Sequence, residues 1–297
     1  MKGKKSILLF FVDGLGIGEQ KDSNPLAYLN KKACPLAYFR DYITETIENG
    51  VMVPTDACLG VEGRPQSASG QTTILTGINA PQKIGYHKNG FPNEALKKII
   101  DENSVFLQIK KANLGKATFA NAYTPQFFTT KPRWKSATTL AVEAAGIEFR
   151  KLQDLLAGKA LYHDFTNQTL RNKGFDIPLF TTSQAAEILA RLTRSYDFVL
   201  YEHFITDKIG HAQDFALATK HLEKLAELLR ELLKKVNLEE TTVILTSDHG
   251  NIEDLSTRNH TTNKVPTVIW GREKDFAVNM IKSLTDITPT ILKILEI

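Results

Sequence analysis

Acidic and histidine side chains stand beside several short apolar runs of this sequence, in an arrangement that could support metal chemistry. The run Ile7–Val12 leads directly into Asp13, and a later run leads into Asp248 and His249. If these runs are strands of a parallel sheet, the side chains that follow them meet at one edge of it. Three acids and three histidines are placed in this way: Asp13, Asp207, His211, Asp248, His249 and His260.

Six such groups exceed what one catalytic ion with an open coordination position takes from a protein, so the pattern predicts two divalent ions. Mixed carboxylate and imidazole ligands suit Zn²⁺ or Mn²⁺ best, and Mg²⁺ or Fe²⁺ is also compatible with them. Each residue alone has a structural explanation: Asp13 could cap a helix, His211 could lie in a loop and His260 on the surface. The occurrence of all the segments in one chain favours the metal centre.

A hydroxyl-rich segment supplies a candidate nucleophile. Residues Ser67–Gly77 predict a short helix that begins after Ser67 and is ended by Gly77. Ser67 is then a plausible N-cap, and a helix N-terminus is also a place where anions bind. A hydroxyl held there beside a divalent ion would be activated for attack on a phosphoester. Other hydroxyls of the same segment remain rivals: Ser69, Thr72 and Thr73.

These side chains must be positioned by strands and helices that alternate along the chain. Apolar runs predict buried parallel strands at Ile7–Val12, Phe198–Tyr201, Thr242–Leu245 and Pro266–Trp270, with weaker candidates at Val51–Val53 and Ala117–Ala120. Periodic apolar residues predict helices over Asp214–Val236, Gln184–Leu192 and Ala95–Ile100, and a last helix after Thr285–Pro289. This alternation predicts an α/β fold with a mostly parallel sheet flanked by helices.

One segment interrupts the alternation of strands and helices. Residues 123–180 contain three prolines and clusters of Thr, Asn and Lys, without a long amphipathic helix. We therefore expect a small inserted lid over residues 123–180, and a metal-binding α/β core formed by residues 1–122 and 181–297.

Composition limits the classes of partner and compartment. The 297 residues include 37 Lys and Arg against 33 Asp and Glu, a net charge of +4 that is spread along the chain. This balance argues against a nucleic-acid surface and is compatible with a small anionic substrate.

The two cysteines, Cys34 and Cys58, form no C-x-x-C pair. The N-terminal apolar run is too short for a signal peptide and no membrane-spanning segment is evident, so a cytoplasmic protein that does not bind membranes is expected.

The motifs together resemble those of the alkaline phosphatase superfamily. Their order is Asp-Gly-x-Gly, a hydroxyl residue before a helix, Asp-x-x-x-His, Asp-His-Gly-Asn and a later His, and the resemblance covers nearly all of the chain outside the insert. It implies that Ser67 is the nucleophile. It also implies one ion held by Asp13, Ser67, Asp248 and His249, and a second ion held by Asp207, His211 and His260.

Within the superfamily, the signals divide between two kinds of phosphoryl transfer. The segments Asp248–Glu253 and His260–Pro266 are similar to those of cofactor-independent phosphoglycerate mutases and, next, phosphopentomutases. Gln71 stands where those mutases carry a histidine, and Ile74–Gly77 is more similar to the phosphatase and phosphodiesterase branch. The mutases also place a large, arginine-rich cap between the positions of Gly77 and Asp207, whereas this chain has room for a much smaller one.

Because a mutase must shield its intermediate from water, a small lid favours hydrolysis. The main expectation is therefore a metal-dependent phosphohydrolase that acts on small phosphate esters through a phosphoserine. A phosphomutase is the alternative, and a non-catalytic metal- or phosphate-binding module is a minor one. His87, Lys131 and Arg133 are candidate substrate contacts. The sequence does not indicate an oligomeric state.

Overall fold

The computed structural model describes residues 5–29, 34–130 and 132–297. Within these residues the chain forms nine strands: β1 Ser6–Val12, β2 Thr44–Thr46, β3 Gly50–Thr55, β4 Ala117–Phe119, β5 Ala122–Tyr123, β6 Arg150–Lys151, β7 Phe198–His203, β8 Thr241–Thr246 and β9 Val265–Gly271.

Thirteen α-helices surround these strands in the described part of the chain. They are α1 Ser67–Thr76, α2 Ala80–Ile84, α3 Glu94–Asn103, α4 Val105–Lys111, α5 Pro125–Thr130, α6 Ala137–Ala144, α7 Leu152–Leu156, α8 Gln168–Asn172, α9 Thr182–Ser195, α10 Ile205–Ala212, α11 Phe215–Lys235, α12 Lys274–Met280 and α13 Ile287–Glu296. Short 3₁₀ turns lie at Pro25–Tyr28, Ile47–Asn49 and Leu284–Asp286. None of the helices in these ranges is both long and apolar enough to cross a bilayer.

Seven of the described strands form one mixed sheet in the order β2-β3-β9-β8-β1-β7-β4. The strands β8, β1, β7 and β4 are parallel to one another, and helices cover the sheet. The predicted α/β fold is therefore confirmed, and each predicted strand is present. Most are longer than the apolar run that indicated them, because polar residues such as Glu202 and His203 continue β7 beyond Tyr201.

The direction predicted for Pro266–Trp270 was wrong. This strand, β9, runs antiparallel to β8, and β3, which contains Val51–Val53, runs antiparallel to β9. The connection from β8 to β9, residues 247–264, contains no helix. Without a crossover helix, the chain returns along the neighbouring position in the opposite direction. Apolar content alone marks a buried strand but does not specify its direction.

Burial on both faces of the sheet explains why its central strands read as continuous apolar runs. Leu8 and Phe10 of β1 face a core shared with α9 and α11. The alternate residues Leu9 and Phe11 face a second core shared with α1, α4, α6 and α13. All four side chains are at most 4% exposed. The sheet is therefore a rigid central layer whose strand ends can hold side chains in fixed positions.

The longest helix, α11, agrees closely with the predicted Asp214–Val236. The side chain of Asp214 accepts a hydrogen bond from the Leu217 amide, which makes Asp214 the N-cap. The buried stripe includes Leu222, Leu225 and Leu229, spaced three or four residues apart. The helices predicted over Gln184–Leu192, over Ala95–Ile100 and after Thr285–Pro289 are also present, as α9, α3 and α13.

The segment predicted as an insert, residues 123–180, divides between two apolar clusters. Ala141 and Val142 of α6 pack in the main core beside α1, α3 and α4. A separate small cluster forms around Leu155, Leu170 and Ile177, which join α7 and α8 to the two-stranded sheet of β5 and β6. The extent of a lid within residues 123–180 stays a prediction, and this small cluster is the part of the segment that has its own core.

A buried histidine of β7 and a half-buried histidine of α11 form a hydrogen-bonded pair. The Nδ1 of His203 lies 2.8 Å from the His163 carbonyl oxygen, and its Nε2 lies 2.8 Å from the Nε2 of His221. Since a carbonyl oxygen only accepts, His203 donates through Nδ1, and His221 must then donate its Nε2–H to His203. Burial, followed by the charge of the nearby Lys224 ammonium, lowers the pKa of His221 to about 4. Both imidazoles are therefore held neutral.

This pair predicts that the protein loses stability as the pH falls from about 6.5 to about 4. The unfolded chain takes up a proton on His221 in this range whereas the folded chain does not, so the free energy of unfolding should fall by about 3 kcal/mol from this group alone. His221→Gln keeps an N–H donor but does not titrate, so urea titrations of metal-free protein should show a smaller decrease. His87→Gln, at a half-buried loop position, should retain the wild-type slope. An unchanged slope in His221→Gln would contradict this explanation.

Candidate metal centre

The candidate site lies at the edge of the sheet where β1, β7 and β8 end. Asp13 follows β1 directly, and Asp248 and His249 follow β8 within three residues. Asp207 and His211 lie on α10, which follows β7. Because β9 is antiparallel to β8, the loop that precedes β9 returns to this same edge and brings His260 with it. All six predicted groups are therefore placed at one edge.

The first group of side chains surrounds the imidazole of His249. Its Nε2 lies 3.3 Å from Asp13 Oδ1, 3.5 Å from Asp248 Oδ2 and 3.0 Å from Ser67 Oγ. His249 and Asp248 are fully buried, and Asp13 is nearly so. Three of the residues that the resemblance assigned to one ion thus lie within 3.5 Å of the fourth, His249.

The second group surrounds Asp207. Its two carboxylate oxygens lie 3.3 Å from His211 Nε2 and 3.5 Å from His260 Nε2, and the two imidazole nitrogens are 3.2 Å apart. The rings of His260 and His249 stack with centroids 3.6 Å apart, which joins the two groups. Ligand atoms of Asp13, Asp207 and His249 also lie within 4.8 Å of one another. The spacing is compact enough for two ions a few ångströms apart, as in-line phosphoryl transfer requires.

The hydrogen bonds around the histidines fit metal ligation. The Nδ1 atoms of His211 and His260 donate to the carbonyl oxygens of Arg258 and Pro65, at 2.7 and 2.9 Å. Such bonds fix the ring orientation and leave Nε2 as the nitrogen that faces the acids. In addition, Asp13 Oδ1 is buried without a hydrogen-bond partner. A buried carboxylate oxygen without a donor is costly unless a cation binds it, so the residues present fit a divalent ion.

The acids of the first group repel one another in the absence of a cation. Burial raises the pKa of Asp13 well above its usual value, and the nearby Asp248 and Asp207 carboxylates raise it further. Burial likewise raises the pKa of Asp248 and lowers that of His249. A bound divalent ion would supply the charge that stabilises both carboxylates, so metal binding and proton release are expected to be coupled.

Helix α1 positions Ser67 differently from the N-cap that was predicted. Gln66 is the N-cap, Ser67 is the first residue of the helix, and Gly77 ends it in the left-handed conformation as expected. The prediction was wrong by one residue, because the Ser67 side chain contacts His249 and makes no capping bond. A glycine at position 70 permits this approach, since a Cβ there would lie 2.9 Å from the Asp248 carbonyl oxygen.

The rival hydroxyls of α1 are occupied by backbone groups. Thr72 and Thr73 donate to the carbonyl oxygens four residues earlier, at 2.6 and 2.9 Å. Ser69 is fully buried, donates to the Gln66 carbonyl oxygen and accepts from the Lys88 amide. Of the four hydroxyls considered, Ser67 is the one that contacts the cluster of acids and histidines.

Several residues that support the cluster were not predicted as site residues. The side-chain amide of Gln71 lies 3.3 Å from Asp13 Oδ2 and 3.2 Å from Asp248 Oδ2, and that of Asn251 donates to Asp207. Glu253 accepts hydrogen bonds from the amides of Gly16 and Asn251, which ties the loops after β1 and β8 together.

Glu202, at the end of β7, was also missed. It is buried, and burial, partly offset by a hydrogen bond from Thr138, raises its pKa to about 7. The negative charge of Glu202 raises the pKa of Asp13. A signal for it exists in the sequence, because an acid directly follows the apolar run Phe198–Tyr201.

The three predicted substrate contacts are not drawn together by the structure. His87 Nε2 lies 3.2 Å from the Val61 carbonyl oxygen, and the guanidinium of Arg133 lies 5.2 Å from the ring centre of the exposed Trp134. Within residues 132–297 and the other described ranges, no hydrogen bond or ion pair joins Arg133 to the metal cluster. Lys131 lies outside the described residues. Their roles stay predictions.

Comparison with protein-family models gives a match in the second half of the chain. A family model described as the metalloenzyme superfamily matches residues 137–297. The 2,3-bisphosphoglycerate-independent phosphoglycerate mutase of Clostridium kluyveri is 34% identical over 116 residues, which cover 36% of this chain and 23% of that enzyme. The enzyme of the same name from Mycoplasmoides gallisepticum is 32% identical over 132 residues, 42% of this chain and 26% of the relative. The matches thus span about a quarter of these relatives.

Solved structures show the same fold over nearly the full chain. The PH0037 protein of Pyrococcus horikoshii superposes with a TM-score of 0.59 at 13% identity, covering 99% of this chain and 98% of the other. The alkaline phosphatase of the Antarctic bacterium TAB5 has a TM-score of 0.52 at 14% identity, covering 99% of both chains. The family model covers more than half of the sequence. This chain therefore belongs to the metalloenzyme superfamily, the group of alkaline phosphatase-like proteins that its motifs resemble.

Proposed function

We propose that the protein is a phosphohydrolase that binds two divalent ions and cleaves small phosphate esters through a phosphoserine at Ser67. The observation that carries this proposal is the 3.0 Å contact between Ser67 Oγ and His249 Nε2, beside a buried carboxylate oxygen of Asp13 that has no donor. One ion would be held by Asp13, Ser67, Asp248 and His249, and the other by Asp207, His211 and His260. Zn²⁺ or Mn²⁺ suits these ligands best.

The reaction would proceed in two displacements at phosphorus. Ser67 Oγ attacks the phosphorus while the bond from phosphorus to the ester oxygen breaks. The proton that leaves the serine hydroxyl passes through solvent to the departing oxygen, so the alcohol is released and a phosphoserine remains. Water then attacks the same phosphorus, so that inorganic phosphate leaves and the Ser67 hydroxyl is restored. When bound, the two ions lower the pKa of the serine hydroxyl and stabilise charge on the leaving oxygen.

Two parts of this chain would assist the displacement. The first turn of α1 directs backbone N–H groups toward its N-terminus, where the transferring phosphoryl group would lie. Gln71 holds the carboxylates of Asp13 and Asp248 in place through its amide. Both contributions orient groups before the reaction begins, which lowers the cost of reorganisation in the transition state.

The second candidate function is that of a phosphomutase, which the similarity to phosphoglycerate mutases over about a third of the chain favours. A mutase must return the phosphoryl group to the substrate before water reaches it. Hydrolysis is proposed here because the part of residues 123–180 with its own core is small. Gln71, where the mutases carry a histidine, also supports this choice.

The two functions predict different products from the same incubation. Protein loaded with Zn²⁺ or Mn²⁺ is incubated with 3-phosphoglycerate, ribose 1-phosphate, phenyl phosphate and a diphenyl phosphate diester, and both free phosphate and isomers are measured. We expect free phosphate from at least one monoester. Isomer formation without phosphate release would replace the hydrolase with a mutase, and a preference for the diester would indicate a phosphodiesterase. No turnover with both ions bound would support a non-catalytic binding module.

A further inference from the structure

A cavity of about 360 Å³ lies at the ends of β4 and β7, beside the metal centre. β7 lies between β1 and β4 in the sheet, and neighbouring strands are about 4.8 Å apart, so the cavity begins roughly 5–10 Å from the ligands that follow β1. Glu202 lines the cavity and also acts electrostatically on Asp13. Lys208, on its wall, directly follows the ligand Asp207. The cavity therefore adjoins the place where a phosphoryl group would react.

Two lysines give this cavity an excess of positive charge. Lys173 and Lys208 both line it, and neither forms an ion pair with a carboxylate in the described part of the chain. Their ammonium groups lie about 6 Å from the ring centres of Tyr162 and Phe204, respectively. Glu202 is the one acid among the lining residues that the structure describes, and its raised pKa leaves it only partly ionised near neutral pH. Both lysines are exposed to solvent, and two cations without a counter-ion beside one cavity attract an anion from solution.

A buried histidine lies in the wall between the two rings that the lysines contact. The ring of His163 packs between Tyr162 and Phe204, with each ring centre 4.0 Å away, and is 9% exposed. Burial, followed by the charges of Lys208 and Lys173, lowers the pKa of His163 to about 3, so the imidazole is neutral. His163 therefore contributes a flat, uncharged ring to this wall of the cavity.

The remaining lining residues combine aromatic rings with polar side chains. Phe119, Tyr123 and Phe127 line the side formed by β4 and the segment that follows it. Polar side chains such as Asn121 and Thr139 also line the cavity. A volume of this size, with aromatic surfaces beside polar groups, is typical of sites for ring-sized organic ligands rather than for three-carbon acids.

From these observations we propose that the cavity binds the organic half of the substrate, and that this half is a ring-bearing group with an anionic substituent held by Lys173 and Lys208. This inference rests on the proposed phosphohydrolase function, because it takes the cavity to be occupied while the ester lies on Ser67. The aromatic walls contact the ring, and the two ammonium groups bind the substituent and balance its charge. Substrates with a neutral ring would lack the ionic contacts, and small acids would lack the apolar ones.

The test separates binding in the cavity from catalysis. Metal-free protein is titrated with 6-hydroxy-2-naphthoate and with its neutral amide, 6-hydroxy-2-naphthamide, and binding is followed by ligand fluorescence. The two compounds share shape and ring, so the ratio of their affinities reports the contribution of the negative charge. We expect the naphthoate to bind at least about tenfold more tightly, since two ammonium groups can each donate a charge-assisted hydrogen bond to its carboxylate.

Variants of the two lysines then show which side chains recognise the negative charge of the ligand. Lys173→Gln and Lys208→Gln should each reduce the affinity ratio several-fold, whereas Lys111→Gln, an exposed lysine at the end of α4, should retain the wild-type ratio. Equal affinities for the two compounds in wild type, no binding of either, or an unchanged ratio in both cavity variants would overturn the proposal. Far-ultraviolet circular dichroism of each variant excludes loss of fold as the cause.

A kinetic comparison distinguishes failure of this inference from failure of the proposed function. The phosphate esters of the two naphthols are compared by kcat/KM with metal-loaded protein, alongside 3-phosphoglycerate. We expect the order to be naphthoate ester, then naphthamide ester, then 3-phosphoglycerate. Phosphate release without this order would reject the substrate class and retain the hydrolase. Selective naphthoate binding without phosphate release from any ester would reject the hydrolase while the cavity's preference for an anion stands.

Discussion

Replacing Ser67 with alanine should lower phosphate release by on the order of 10⁴-fold or more, because no other hydroxyl of α1 can take its place. Ser69, Thr72 and Thr73 are bonded to backbone groups, whereas Ser67 Oγ contacts His249. The side chain is only partly buried and caps no helix, so its removal should leave the fold intact. Phosphate release by wild type and variant at saturating metal is the measurement.

The matched control for this experiment is Ser69→Ala. Both changes remove one hydroxyl from the first turn of α1, but Ser69 is buried and joins α1 to the Lys88 amide. We expect Ser69→Ala to lower thermal stability and to retain turnover at a temperature where it is folded. An inactive, folded Ser69→Ala together with an active Ser67→Ala would show that the nucleophile has been assigned to the wrong residue. Metal content, measured in parallel, should stay close to wild type in Ser69→Ala.

Much of the candidate site could be predicted because its chemistry restricts residue identity. Few side chains bind divalent ions, so Asp207 and His211, four residues apart after an apolar run, are recognisable without a structure. The structure brings these and the other predicted ligands into two contacting groups. The fold class was predictable for a similar reason, since strands buried on both faces need apolar residues throughout.

Strand direction could not be predicted, because it depends on the path of the connection rather than on the strand itself. Had Pro266–Trp270 run parallel to β8, the loop carrying His260 would have entered the sheet at the opposite edge, away from Asp207. The antiparallel direction of β9 resolves this conflict between the predicted strand and the predicted ligand. The predicted ligand His260 therefore indicated the direction of this strand, which the apolar pattern did not.

Supporting residues escaped prediction for a different reason. Gln71, Asn251 and Glu202 act by contacting ligands that are distant in sequence, so their residue types alone carry little information about function. The error of one residue at the start of α1 has a similar origin. Ser67 has the type of an N-cap, but the position of His249 across the site decides where its hydroxyl points.

The division of the ligands into two groups predicts that one ion can be lost without the other. His211 contacts only the group around Asp207, and its side chain is 46% exposed, so His211→Ala should leave the fold intact. The loss in affinity should exceed the roughly 10–100-fold that is typical when a partner of a metal ligand is removed. Equilibrium dialysis followed by elemental analysis should therefore give about two ions per chain in wild type and close to one in His211→Ala. His87→Ala serves as the matched histidine control and should bind two.

Asp207 allows a sharper test of the same division. Its carboxylate lies within 4.8 Å of ligand atoms in both groups: those of His211 and His260 on one side, and those of Asp13 and His249 on the other. Asp207→Asn should consequently lose the second ion and also weaken binding of the first, whereas His211→Ala weakens binding of the second ion alone. If His211→Ala lost both ions together, or bound two with wild-type affinity, the ligands would not be divided as proposed. Retention of the remaining ion by His211→Ala, beside Ser67, would place that ion with Asp13, Asp248 and His249, where it can lower the pKa of the nucleophile.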